Sequence, residues 1–396
     1  MQDFPNILVV SEQPFSLDNG FGVTLSNLFD GWPQERIACF YTYKYYQSQP
    51  FQKFCVFQKP AHVRWHHGRR HAIPMLVGVK PAWRNNYSSL WLKRNLAGYK
   101  PSIIYSLVHS EATLLFADWI AHSLRVPHVI HIADDNFSLE KRILDAMQSA
   151  SMRYVISKQM AEEYNTRYNT NFQVLHNVPA DDYFRKTSSE HKDLVHSAKA
   201  VKTIRYLGRL HPWLHYNSLQ LLRCAIDKCC ANGMRWQLEL YGSAEEEILR
   251  KSEILSDHVS FHGPVSQSYG IHLLHSADLL VIPLTYQTDL LRTYRLSFPT
   301  KLPEYLATGV PILLLSDISC ASALFCQEHS AAYCVTTPDI DQIIEVLTRL
   351  WISPSEGIYQ GEHNVALARS KFNKEEISSF FQASLCSVVN KVSSVQ

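Results

Sequence analysis

Four stretches of the sequence carry groups suited to gripping a phosphate ester or a sugar. Near the start, Asn19-Gly20-Phe21-Gly22-Val23-Thr24 follows an apolar run ending at Val10 and leads into a helical pattern through Phe29. Gly20 and Gly22 at a helix start suit an anion, since the first amides there lack partners and the macrodipole favours negative charge. A dinucleotide fingerprint asks for a third glycine at position 25, where Leu25 stands. A plain glycine turn accounts for the two glycines equally well. Further on, Arg205-Tyr206-Leu207-Gly208-Arg209-Leu210 closes an apolar run with a glycine and a guanidinium able to bridge two phosphate oxygens, although surface arginines are common at strand ends. The third stretch, Ser297-Phe298-Pro299-Thr300-Lys301-Leu302-Pro303-Glu304, reads as a loop feeding a short helix that ends at Gly309-Val310-Pro311. There the helix amides and Lys301 can meet a diphosphate, and Glu304, one turn on, can accept two ribose hydroxyls; a solvated Lys-Glu pair is the plainer alternative. The fourth, His128-Val129-Ile130-His131-Ile132-Ala133-Asp134-Asp135-Asn136, ends a strand with two carboxylates. His131 alternates with apolar neighbours and reads as a core residue, while either aspartate can cap a helix.

These groups need a frame to hold them. Short β-branched and apolar runs alternate with helix-period segments throughout, the pattern of parallel sheets with helical crossovers. Strands are expected over 6–10, 37–41, 102–106, 128–131 and 153–156, then over 203–207, 237–241, 259–262, 279–283, 312–315 and 332–335. Helices are expected over 216–232, 266–276 and 339–351, with a last one near 374–389 whose apolar residues Ile377, Phe380, Phe381, Leu385 and Val388 give one buried face. A chain of 396 residues exceeds the size of one core. The reading is an N-terminal Rossmann-like domain over 1–185, a polar linker over 186–200, a second such domain over 201–370, and a C-terminal helix in 371–396 that packs back on the first domain. Two doubly wound domains facing each other place a cleft between the carboxyl ends of their sheets.

Apolar residues make up 46% and charged residues 19%, which fits a globular chain and excludes a disordered one. The opening MQDFPNILVV lacks a basic region and turns polar at Ser11, so it reads as a strand and not as a signal peptide. No stretch reaches the roughly 18 to 20 apolar residues of a membrane span. Nine cysteines without a CxxC pair read as reduced, packed thiols. From Arg36 to Ser110 there is no acidic residue and there are twelve lysines and arginines, leaving 26 basic and 36 acidic residues elsewhere. This stretch interleaves His62, Arg64, Trp65, His66, His67, Arg69, Arg70 and His71 with Trp83, Arg84, Trp91, Lys93 and Arg94. Cations among tryptophans suit an anionic membrane surface. No nucleic-acid motif accompanies them, and the histidine spacing matches no zinc site.

The ordered set GFGVTLSNLF, RYLGRL, VSFHGPV, HSADLLVIPL and SFPTKLPEYLATGVPILL resembles the retaining glycosyltransferases of the GT-B fold, the large family-4-type group also called glycosyl transferases group 1. The resemblance spans nearly the whole chain, and the order of the short motifs carries it. It implies two Rossmann-like domains, with a nucleotide diphosphate held mainly by the C-terminal one and the acceptor mainly by the N-terminal one. Carried over by residue, Arg209 contacts the donor pyrophosphate, Glu304 binds the ribose as second acid of the family's E-x7-E motif, and a catalytic histidine or aspartate falls closest to Asp134. His176-Asn177 resembles the end of the family's N-terminal domain, though a turn explains the asparagine equally well. Two positions depart from the pattern: the first acid of the motif is Leu296, and the lysine expected shortly after the glycine-arginine pair is missing from HPWLHYNS. His215 or Lys301 can supply the second positive charge, and Asp289, Arg292 or Arg295 can replace the first acid.

Taken together, the expectation is a cytoplasmic hexosyltransferase, peripheral to the inner membrane face through residues 36–110 and active in polysaccharide biosynthesis. Its donor is a UDP- or GDP-linked sugar and its acceptor a glycan, lipid-linked or small molecule. Asp134, Arg209 and Lys301 are the catalytic candidates. Donor-binding candidates are Gly20, Gly22, Arg209, His215, Ser297, Thr300, Lys301 and Glu304. Neither a metal nor a separate cofactor is expected, and no nucleic acid partner; the resemblance implies retention of anomeric configuration. A non-catalytic nucleotide-sugar-binding protein, or an epimerase or hydrolase of the same architecture, stands as the alternative.

Overall fold

The structure, a computed structural model, describes residues 4–15, 20–42, 55–57, 87–184 and 201–393. Much of the acid-free basic stretch and all of the 186–200 segment lie outside the described residues. The chain divides into two compact units, Met1–His176 with Glu375–Gln396, and Asn177–Lys374.

In the first unit, β1 (Ile7–Ser11), β2 (Ile37–Tyr41), β3 (Cys55–Phe57), β4 (Ile103–Val108), β5 (His128–Ile132), β6 (Met152–Val155) and β7 (Gln173–Val174) form a sheet in the order β3-β2-β1-β4-β5-β6-β7. Every neighbouring pair in it is parallel. Strands β1, β2, β4 and β5 are buried along their whole length, as helices on both faces require. That is why their sequences are near-continuous apolar runs, with no polar alternation. Helix starts are set locally: Ser110 caps Glu111–Leu124 and Ser157 caps Lys158–Tyr168, each hydroxyl accepting an amide of the first turn.

The last helix, Lys374–Ser393, completes this unit's core. Phe381 is fully buried against Phe29, Tyr105 and Tyr154, edge-on or tilted at centroid distances of 5.2, 5.1 and 6.1 Å. The next residue, Gln382, donates to the carbonyls of Leu28 and Asp30 at 3.0 and 2.8 Å, satisfying acceptors left open where helix Gly20–Leu28 ends. Phe380, counted with the apolar face in sequence, is 52% exposed, because it lies 100° round the helix from Phe381.

In the second unit, β8 (Lys202–Leu207), β9 (Trp236–Tyr241), β10 (Val259–Gly263), β11 (Leu279–Pro283), β12 (Ile312–Leu315) and β13 (Tyr333–Val335) form a six-stranded sheet in the order β10-β9-β8-β11-β12-β13, again parallel throughout. The chain thus has the two doubly wound Rossmann-like domains of a GT-B protein. In each sheet the strand order reverses once, between β1 and β4 and between β8 and β11. Loops leaving the carboxyl ends of strands at such a reversal diverge and leave a crevice. Residues 177–184, assigned to the N-terminal domain from sequence, pack with the second unit instead, because Tyr183 is buried beside the helix that carries Glu304.

Replacing Phe381 by alanine should destabilise the protein by about 3–5 kcal/mol, the usual cost of emptying a buried aromatic site. The loss is read as a lower denaturant midpoint in the transition of the first unit.

Candidate functional site

The second unit brings the glycine-arginine stretch and the Lys301–Glu304 stretch together at its strand-order reversal. β8 ends at Leu207, and the chain then follows the end of β9: the Gly208 amide donates to Tyr241 O at 2.8 Å and the Leu210 amide to Ser243 O at 2.8 Å. Leu207's own amide is taken by the hydroxyl of Tyr305, on helix Lys301–Thr308, at 2.9 Å. That bond ties the helix to the end of β8. Gly208 sits at φ +151°, and a Cβ there would lie 2.0 Å from Lys301 Cε and 2.4 Å from Nζ. The lysine side chain therefore runs across the bare glycine, with its ammonium 5.7 Å from the Tyr206 ring centroid. Only glycine permits this approach.

Around the ammonium the protein provides little compensation. Lys301 is half-buried, and burial lowers its pKa against the opposing pull of Glu304. Glu304 is also half-buried, and burial pushes it up to about 7 even though Lys301 favours its charged form. Among the described residues Glu304 accepts no hydrogen bond, and Arg209, exposed, makes no ion pair. Half-buried charges so poorly matched within the protein are costly to hold, and they are the usual mark of a binding site. The helix offers fewer amides than its sequence suggests: Leu302 N–H bonds Pro299 O at 3.0 Å, Pro303 has none, and Thr300 makes no side-chain cap. The positive charge comes chiefly from side chains.

His215 does not supply it. Its ring is buried, its Nδ1 accepts the His211 amide at 2.9 Å, and burial with Lys301 nearby drives its pKa down to about 3. With Nδ1 an acceptor, the proton sits on Nε2, which faces the Tyr206 oxygen at 3.4 Å; Tyr206 in turn donates to Arg209 O at 2.9 Å. The neutral histidine thereby fixes the backbone of the arginine. Burial first, and then the nearby charges of Arg209 and Lys301, lower the pKa of His211. Leu296, in the position of the missing acid, is 1% exposed and belongs to the apolar interior. Arg295 is half-buried, while Asp289 and Arg292 are exposed on helix Thr288–Tyr294. Ser297 is half-buried at the start of the loop into the Lys301 helix, its amide bonded to Tyr294 O at 3.0 Å.

The first unit holds a separate set at its own reversal. Gly20 and Gly22 open helix Gly20–Leu28, where Thr24 Oγ1 donates to Gly20 O at 2.8 Å. Asp134 is half-buried past the end of β5 and does not cap a helix; the next begins at Lys141. Asp135 is held by Arg167 Nη1 at 2.5 Å and by the Tyr164 hydroxyl at 2.8 Å, a structural task. His131 is fully buried, paired through Nδ1 with Tyr105 OH at 2.8 Å and kept neutral by burial. His176 and Asn177 straddle the division between the units.

Beside Asp134 lies a pair that sequence reading passed over. Glu12, 1% exposed, accepts from the amides of His109 and Ser110 at 3.3 and 3.1 Å and from Ser110 Oγ at 2.8 Å. Its other oxygen is 3.5 Å from His109 Nδ1. Burial would raise the carboxyl pKa, but His109 and these donors hold it below the ordinary value. Burial likewise opposes charge on His109, yet Glu12, with help from Asp134, raises it. His109 directly follows β4, at the strand-order reversal that only the fold reveals.

Among the described residues no group of three metal-ligating side chains occurs, and no helix is long and apolar enough to cross a membrane. Residues 201–352 match the family model described as glycosyl transferases group 1. No curated protein matches the chain by sequence. Solved structures match over nearly its whole length at low identity. HepE of Anabaena in complex with UDP and glucose has 14% identity and a TM-score of 0.66, covering 97% of this chain and 100% of that one. An α,α-trehalose-phosphate synthase (UDP-forming) from Burkholderia vietnamiensis has 14% identity and a TM-score of 0.67, covering 96% and 100%. Sucrose-phosphate synthase from Thermosynechococcus elongatus has 15% identity and a TM-score of 0.64, covering 100% of both. The whole chain has the GT-B glycosyltransferase fold.

The raised Glu304 value has a measurable consequence. Between about pH 4.5 and 7 the folded chain binds more protons at this group than the unfolded chain does, so its contribution lowers stability as pH rises through that window and is neutral below it. Glu304→Gln should therefore raise the melting temperature at pH 8 and leave it nearly unchanged at pH 4, as differential scanning calorimetry will show. Gly208→Ala should displace Lys301 and weaken UDP binding at least about tenfold, the loss of one charge-assisted contact, by isothermal titration.

Proposed function

We propose that this glycosyltransferase moves a hexose from a nucleotide-diphosphate sugar, with uridine as its base, to a glycan, lipid-linked or small-molecule acceptor. The observation that carries the reading is the Lys301 ammonium laid across Gly208, which Arg209 directly follows in the chain, with the half-buried Glu304 carboxylate on the same helix accepting no hydrogen bond among the described residues. A nucleotide diphosphate fits both charges: its phosphates meet the cations and its ribose diol donates to the carboxylate. The UDP and UDP-glucose bound by HepE of Anabaena favour uridine over guanosine as the base.

In transfer the anomeric carbon–phosphate oxygen bond breaks and negative charge grows on the departing diphosphate. Lys301 and Arg209 stabilise that charge in place before reaction, so a resident metal is not required by the chemistry. The acceptor oxygen bonds the same face of the sugar, and the departing phosphate takes its proton, which gives retention. Gly20 and Gly22 offer amides to the donor, with Ser297 and Thr300 as further donor contacts, and Asp134 contacts the sugar at the reacting centre. Within the cell we assign the protein to the cytoplasmic face of the membrane, held through exposed cations such as Lys93, Arg94 and Lys100, in the assembly of polysaccharide.

Isothermal titration of UDP and uridine tests the grip. Arg209→Ala should cost UDP about tenfold or more and leave uridine almost unaffected, whereas Glu304→Ala should weaken both. Equal losses for Arg209→Ala would remove its phosphate role. UDP-glucose turned over with no acceptor at a rate that added acceptors never raise would mark a hydrolase instead.

A further inference from the structure

The Glu12–His109 pair of the first unit is held more firmly than a structural ion pair requires. β1 and β4 are neighbours in register, Ser11 beside Leu107, so Glu12 and His109 leave the carboxyl ends of the two strands together, where the strand order reverses. Glu12 Oε1 accepts from the backbone amides of His109 and Ser110 and from the Ser110 hydroxyl. Its Oε2 is enclosed in a side chain 2% exposed, accepts no hydrogen bond of ordinary length among the described residues, and faces His109 Nδ1 at 3.5 Å. The histidine is braced from two more sides. Phe21 meets its ring edge-on, with centroids 5.3 Å apart at 74°, and Asn136 Nδ2 donates to the His109 carbonyl at 3.2 Å. Nδ1 is buried although 18% of the His109 side chain is exposed, so the part that solvent reaches lies away from Glu12. A ring whose Nδ1 is turned to a buried carboxylate meets a ligand through Nε2.

Backbone bonds bring Asp134 beside this histidine: the Ala133 amide bonds Val108 O at 2.8 Å, and Asn136, already joined to His109, donates its amide to Asp134 O at 3.1 Å. Among the described residues, the other charged groups on the elements packed about His109 are acids, apart from Arg167, which is paired with Asp135. Glu12 follows β1, Asp134 follows β5, and Glu111 opens helix Glu111–Leu124, one of its oxygens accepting the Ser138 amide at 2.7 Å, while helix Gly20–Leu28 carries no charge. Three carboxylates about one imidazole favour its charged form and repel an anion. A sugar hydroxyl suits them, since it can accept from the imidazolium and donate to a carboxylate. We infer that His109, oriented by Glu12, binds a hydroxyl of the acceptor by donating Nε2–H to its oxygen, and that the sugar of that acceptor is uncharged. His109 holds the acceptor and takes no proton from it; the proton of the attacking hydroxyl goes to the departing phosphate, as in the transferase reading above, on which this inference rests.

The test is isothermal titration of the full-length protein, saturated with UDP, with glucose, galactose, mannose and glucose 6-phosphate, from about pH 5 to about pH 9. At least one uncharged sugar should bind, and more tightly than glucose 6-phosphate. Its affinity should fall as pH rises through a midpoint above the ordinary histidine value, since the charged ring is the donor and burial, which opposes that charge, is outweighed by Glu12. Glu12→Gln should move the midpoint down. His109→Phe should weaken the sugar about tenfold, and His109→Gln should recover part of that loss without the pH dependence, all with UDP affinity within about twofold. Tighter binding of glucose 6-phosphate, no binding of any uncharged sugar, or an affinity independent of pH in the wild type would overturn the inference, whether or not the variants fold. Failure of the wild-type protein to bind UDP more tightly than uridine would instead overturn the donor reading.

Discussion

The site in the second unit depends on one close approach, that of the Lys301 side chain to the Cα of Gly208. It requires a residue without a Cβ at the end of β8, and it fixes where helix Lys301–Thr308 begins relative to the sheet. The glycines next to it follow the same rule. A Cβ at Gly242 would lie 2.0 Å from Gly208 O, and one at Gly361 would lie 1.9 Å from the carbonyl of Gly309, which caps the Lys301 helix in left-handed conformation. The helix is thus held at its start by a side chain laid on bare backbone and at its end by backbone packed on backbone, and its charged residues stay where a flexible loop would let them drift.

This arrangement also explains how the chain manages without the expected lysine after the glycine-arginine pair. In HPWLHYNS the turn is occupied by rings and not by an ammonium, and His215 is neutral because it is buried beside a cation. Tyr206 braces the carbonyl of Arg209, and the Lys301 ammonium lies over the Tyr206 ring. On the proposed reading, a cation moved from one loop to another would preserve the electrostatics, since a phosphate is bound by the sum of nearby charges and not by their order in the chain.

Much of the frame was legible in the sequence. Strands β2, β11 and β12 have the bounds expected from their apolar runs, and the others named in advance differ by one or two residues. Two were not seen: Cys55–Phe57 and Gln173–Val174 are three and two residues long, at the sheet edges, too short to show a period. Gly208, Arg209, Lys301 and Glu304 were found because glycines, prolines and charges interrupt apolar runs there. Glu12 and His109 were missed because each sits alone in its stretch; only the fold brings residues 97 apart into contact. The neutrality of His215 was equally hidden, since residue type does not disclose burial. The basic stretch lies largely outside the described residues, so its role stands as read from composition.

The central claim is that Lys301, Arg209 and Glu304 together hold a nucleotide diphosphate, and a crystal structure of the full chain soaked with UDP addresses it most directly. The account requires phosphate oxygens within hydrogen-bond reach of the Lys301 ammonium and the Arg209 guanidinium, with both ribose hydroxyls donating to Glu304. Electron density for UDP elsewhere on the chain, or with its ribose turned away from Glu304, would contradict it.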